Sequence, residues 1–87
     1  MPRVWNKRQN DYPPDVIYVG RPTKWGNPFH VGVYGTREEC IAEYRRWVLV
    51  EFTRDQIRTA LRGHDLLCWC APLPCHADVL LEIANGD

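Results

Sequence analysis

The sequence predicts a small α/β domain, with a short, partly parallel sheet of three or four strands flanked by helices. Three observations carry this. Two compact runs, at residues 16–19 and 65–70, are rich enough in β-branched, leucine, cysteine and aromatic residues to read as buried strands. Between them lie two stretches of helical period, each opened by a Thr-x-x-Glu/Gln capping box. A strand, helix, strand order implies a crossover connection, and so parallel pairing of those two strands.

The elements follow in order. Arg3-Val4-Trp5-Asn6 is a short apolar run suited to an edge strand. Pro13-Pro14 makes a loop by fixing φ and removing two donors. Val16-Ile17-Tyr18-Val19 is the first buried strand, ended by Gly20. Pro22, Gly26 and Pro28 keep residues 21–28 as loop. Residues 29–34 alternate like a strand, with Gly32 as a weak point. Thr36-Arg37-Glu38-Glu39 caps a helix whose apolar stripe is Cys40, Ile41, Tyr44, Trp47 and Val48. Thr53-Arg54-Asp55-Gln56 caps a second helix carrying Ile57, Ala60 and Leu61, with Gly63 placed to end it. Residues 65–70 form the next strand, and Ala71-Pro72-Leu73-Pro74 breaks it. Residues 75–84 form the final helix, stopped by Asn85-Gly86.

Composition narrows the function classes. The chain has 87 residues, 45% hydrophobic and 25% charged, which suits one globular domain spanning residues 1–87. No apolar run is long enough to span a bilayer, and the N-terminus has no secretory h-region, so a cytoplasmic protein without a membrane partner is expected. Eleven Lys and Arg balance eleven Asp and Glu, leaving no field to draw the domain onto nucleic acid non-specifically. Residues 1–24 nevertheless hold five basic and two acidic side chains, a net of +3. Four cysteines in a chain without a secretory signal point to thiols or metal ligands rather than disulfides.

If the two buried strands are parallel, the loops after them open on the same edge of the sheet, where open α/β folds bind ligands. After the first strand come Gly20, Arg21, Lys24, Trp25 and Asn27. Arginine and lysine suit phosphate or carboxylate, tryptophan stacks on rings, and asparagine reads hydrogen-bonding edges. After the second strand come Cys75, His76 and Asp78. A cysteine at a helix N-terminus is favoured as thiolate, a histidine can move protons near neutral pH, and Asp78 can orient the imidazole. Together they make a candidate nucleophile site. Cys68, Cys70, Cys75 and His76 also match a zinc ligand set in number and type, although Cys-x-Cys-x4-Cys-His is not a common finger spacing.

Four segments, Tyr18-Val19-Gly20-Arg21-Pro22, Trp25-Gly26-Asn27-Pro28-Phe29, Thr36-Arg37-Glu38-Glu39 and the Cys68-Trp69-Cys70 to Cys75-His76-Ala77-Asp78 block, resemble an uncharacterised family of bacteria and phages, domain of unknown function 4326. The resemblance runs from about Val4 to Ala84. It implies family membership and no reaction, and it marks the two loops as the family's defining features.

Two classes of function follow. One is a ligand-binding domain or small enzyme acting on a nucleotide-like or other anionic small molecule, held by Arg21, Trp25 and Asn27 and acted on by Cys75 with His76. The other is a zinc-stabilised module that contacts a protein or nucleic acid, including a phage-encoded inhibitor of a host protein.

Overall fold

Strands β1 (Val4–Asn6), β2 (Ile17–Tyr18) and β3 (Leu66–Cys68) and helices α1 (Arg37–Glu51), α2 (Arg54–Leu61) and α3 (His76–Asn85) make up the computed structural model, which describes residues 2–70 and 73–86. The expected break at Ala71-Pro72 lies outside the described residues. The sheet is wholly parallel, in the order β1-β3-β2. Val4 and Ile17 both pair with Leu66, and Trp5 and Tyr18 both pair with Leu67. This is the small α/β domain that the periodicities predict, including the parallel pairing across the crossover.

β3 takes the centre because all three of its residues are apolar and buried, as a parallel strand covered on both faces requires. The outer strands are only half-buried. Asp65 fastens β1 at the start of β3. Its carboxylate accepts the Arg3 amide at 3.0 Å and the Trp5 indole N–H at 2.9 Å, while its carbonyl accepts the Ile17 amide at 3.0 Å. β2 is shorter than the apolar run suggests, because the Val16 amide turns back to the Pro13 carbonyl.

Residues 29–34 do not form the expected strand. Gly32 and Gly35 take positive φ, +89° and +134°, and the amides of Val33 and Tyr34 both donate to the His30 carbonyl. Two left-handed glycines fold the segment into turns, so its alternation meets no strand edge. Phe29 anchors the segment instead, with its ring edge-on to those of Tyr34 and Trp47.

The helices begin where their caps predict. Thr36 accepts the Glu39 amide and Glu39 returns to the Thr36 amide, which holds the Glu39 carboxyl below the usual carboxylate range. Cys40, Tyr44 and Val48 form the buried stripe of α1. Phe52 ends that helix in extended backbone, and Thr53 caps α2 at once. Gly63, at φ +82°, ends α2 as its position suggests. α3 is the most buried helix, with Ala77, Val79, Leu80, Ile83 and Ala84 in the core, and it packs against α1, α2, β1 and β3. Among the described residues no helix is long and apolar enough to cross a membrane.

Candidate functional site

β2 and β3 are neighbours and run the same way, so the segments that leave them meet at one edge of the sheet. A cavity of about 370 Å³ lies there. Gly20, Arg21 and Asn27 line it from the first loop, and Cys68, Cys70, Cys75 and His76 line it from the second. The volume falls in the ordinary range for small-molecule sites, towards its lower end.

The first loop is held by its own backbone. The Thr23 amide donates to Gly20, and the Gly26 amide donates to Thr23, both at 3.0 Å. The Arg21 Nε donates to the Asn27 carbonyl at 2.8 Å, which steadies the guanidinium and leaves its terminal nitrogens available. Asn27 spends its side-chain oxygen on the Phe29 amide and keeps its NH₂ to offer. Gly20 leaves room for Tyr18, since a Cβ there would collide with the tyrosine ring and hydroxyl. Tyr18 in turn donates that hydroxyl to the Arg21 carbonyl at 2.8 Å.

Lys24 and Trp25 lie elsewhere. The two tight reversals turn Trp25 into the core, where it is 5% exposed and tilted against Phe52 at 4.7 Å. Its carbonyl accepts the Tyr44 hydroxyl at 2.7 Å. Lys24 sits over the Trp25 and Phe52 rings, beside a separate groove bounded by α2 residues.

In the second loop the N-terminus of α3 organises the chemistry. Cys75 is the N-cap: its sulfur accepts the Ala77 amide at 3.3 Å, and the Asp78 carboxylate accepts the Cys75 amide at 3.0 Å. Asp78 therefore closes the cap and does not hold the imidazole. Cys75 also meets Cys68 sulfur to sulfur at 3.2 Å. That contact, reinforced by burial, pushes the Cys75 thiol well above its ordinary range, against the lowering effect of the Ala77 amide. The thiolate expected from the helix terminus alone is thus reversed by the neighbouring sulfur.

His76 is 8% exposed, and its Nε2 lies 2.7 Å from the Val19 carbonyl. A carbonyl only accepts, so Nε2 carries the hydrogen and the lone pair falls on Nδ1. Burial lowers the imidazole pKa; the Val19 bond opposes it, Arg21 lowers it further, and Asp78 opposes it least. With the pKa lowered from 6.5 the ring is neutral at pH 7, and the residue lines the cavity.

The four candidate metal ligands do not assemble. Cys68 and Cys75 touch, but His76 commits Nε2 to Val19, and among the described residues no three His, Cys, Asp or Glu side chains converge on one point.

Several lining residues escaped the sequence reading, among them Trp69, Phe29 and Arg37. Trp69 is half-exposed and donates its indole N–H to the Tyr18 hydroxyl at 3.1 Å. Phe29 forms part of the opposite wall. Arg37, in the first turn of α1, reaches the Pro74 carbonyl with Nη1 at 3.3 Å. Its place in the first turn of a helix, where a cation opposes the dipole, did not mark it as a site residue in the sequence. Neither Arg21 nor Arg37 has a carboxylate partner among the described residues, and no Asp or Glu lines the cavity.

A family model described as Domain of unknown function (DUF4326) matches residues 3–86. The chain is 35% identical over 88 residues to the "Uncharacterized 12.4 kDa protein in nrdA-td intergenic region" of Enterobacteria phage T4, covering 95% of this chain and 77% of the phage protein. No solved structure matches significantly.

Proposed function

The chain belongs to the Domain of unknown function (DUF4326) family, a membership that brings no reaction with it, and we propose that its cavity binds a nucleotide-like or other small anionic molecule. The observation that carries this is a pair of arginines, Arg21 and Arg37, each steadied by one backbone carbonyl and, among the described residues, neither paired with a carboxylate nor facing an acidic cavity wall. Two uncompensated guanidiniums favour a phosphate or carboxylate group, which can take several charge-assisted bonds at once. Trp69 and Phe29 offer aromatic surface for a planar ring, and the Asn27 NH₂ a donor to its edge. His76 presents a neutral Nδ1 that accepts a ligand hydroxyl or takes its proton. Cys75 holds its own proton, so the acid–base role falls to His76 and the thiol shapes the site beside it.

Isothermal titration with a nucleoside 5′-monophosphate and with its parent nucleoside tests the reading. The monophosphate is expected to bind and the nucleoside to bind at least about tenfold more weakly, since a charge-assisted hydrogen bond contributes about 1.5–3 kcal/mol. Arg37→Ala should weaken the monophosphate by a similar factor and leave the nucleoside unchanged. Equal affinities for the two probes, or an Arg37→Ala variant that binds like the parent, would falsify the proposal.

A further inference from the structure

We propose that Cys68 and Cys75 are a redox pair, which hydrogen peroxide or another small hydroperoxide entering the cavity converts to an intramolecular disulfide. This is independent of the anion-binding role. The two sulfurs come from different elements, the last residue of β3 and the N-cap of α3, and already stand 3.2 Å apart. A disulfide needs them about 1.2 Å closer, a small movement for two side chains in contact. Each is held in place by a backbone amide: Cys70 N–H donates to the Cys68 sulfur at 3.4 Å and Ala77 N–H to the Cys75 sulfur at 3.3 Å. Both are nearly buried but line the cavity, the route by which a small oxidant would reach them. Cys40 engages the Gly35 carbonyl instead. Cys70 contributes its amide to the pair rather than its thiol.

The chemistry runs in two steps. The Cys68 sulfur, which accepts the Cys70 amide and stands against the Cys75 sulfur, gives up its proton and attacks one peroxide oxygen. An S–O bond forms and the O–O bond breaks. The departing oxygen collects the Cys68 proton and leaves as water, and Cys68 becomes a sulfenic acid. The Cys75 sulfur then attacks the Cys68 sulfur. The S–S bond forms, the S–O bond breaks, and the hydroxyl leaves as a second water with the Cys75 proton. Two thiols lose two electrons and two protons in all, and one peroxide is reduced to two waters.

The folded full-length chain, treated with hydrogen peroxide, alkylated and digested with chymotrypsin without reductant, provides the test. Cleavage after Trp69 separates Cys68 from Cys70 and Cys75, so a bond from Cys68 holds two peptides together until reduction. Cys68 and Cys75 should lose alkylation in step, Cys40 and Cys70 should keep it, and Cys70→Ser should give the same linked peptides. In Cys75→Ser, dimedone should trap the sulfenic acid on Cys68. The inference is overturned if Cys68 stays alkylatable in the wild-type chain, if the link disappears in Cys70→Ser, or if the thiols resist peroxide because they hold a tightly bound metal.

Discussion

Replacing His76 by glutamine and following stability as the pH falls tests whether this imidazole is neutral in the folded chain. In the structure Nε2 donates to the Val19 carbonyl at 2.7 Å, the ring stands edge-on to Tyr44 with centroids 5.1 Å apart, and the net effect of burial and Arg21 is a lowered pKa, against the opposing pull of the Val19 bond and of Asp78. The unfolded chain takes a proton on this ring near pH 6.5, before the native state does. The stabilising contribution is therefore complete above about pH 6.5 and is lost as the pH falls below it. The loss runs at up to about 1.4 kcal/mol per pH unit until the native ring protonates in its turn. At pH 5.5 it is bounded at about 1.4 kcal/mol, a measurable share of the roughly 5–10 kcal/mol that holds a domain of this size. Glutamine can keep an N–H on Val19 and cannot titrate. Urea unfolding of both proteins from about pH 8 to 5.5 should give a stability difference, wild type minus variant, that is constant at high pH and declines below about 6.5. His30, His64 and the carboxylates cancel in that difference. A flat difference, or one that grows in favour of the wild type on acidification, would show that the native ring takes the proton readily and would refute the argument.

Two further predictions concern the scaffold that carries the site. Tyr44→Phe removes the buried hydroxyl that donates to the Trp25 carbonyl at 2.7 Å, and burial keeps that hydroxyl protonated by pushing its pKa up. The expected loss is about 1–3 kcal/mol in urea unfolding, and a loss below a few tenths would show that another donor serves the carbonyl. Thr36→Ala removes the capping side chain at the start of α1, costing about 1 kcal/mol. NMR titration of the Glu39 carboxyl should show its pKa returning upward towards the ordinary glutamate range, and an unchanged value would place the cause outside the cap.

The parallel sheet was readable because hydrophobic period, capping boxes and crossover topology all point the same way. The shared edge followed, and with it the meeting of Arg21 and Asn27 with Cys75 and His76. Side-chain directions within the first loop were not readable. They depend on the successive turns at Gly20–Thr23 and Thr23–Gly26, which send Trp25 into the core while Arg21 stays at the cavity. The strand expected at residues 29–34 failed because a period of two says nothing about whether a partner edge is present, and Gly32 and Gly35 were free to turn. Cys75 was misjudged electrostatically for a related reason. The helix terminus is visible in the sequence, but the Cys68 sulfur that outweighs it is brought there by the fold.

The contact between Val19 and His76 explains why the site and the fold are one construction. Val19 is fully buried, and its amide continues the ladder to Leu67 although β2 has formally ended. Its carbonyl falls past the paired residues of β2, and without the His76 ring it would be buried and unpartnered. A buried carbonyl left in that state costs about 1–3 kcal/mol. His76, at the first position of α3, supplies the donor, and in doing so docks the helix against the strand end. The same bond settles which nitrogen keeps the hydrogen, and so leaves an acceptor on a residue that lines the cavity. A lysine in place of His76 would add a charge to a buried position, and an alanine would strand the carbonyl. Only a side chain with a donor at that reach and a second polar atom meets the structural need and the chemical one together, so the tautomer of the candidate base is set by the backbone it satisfies.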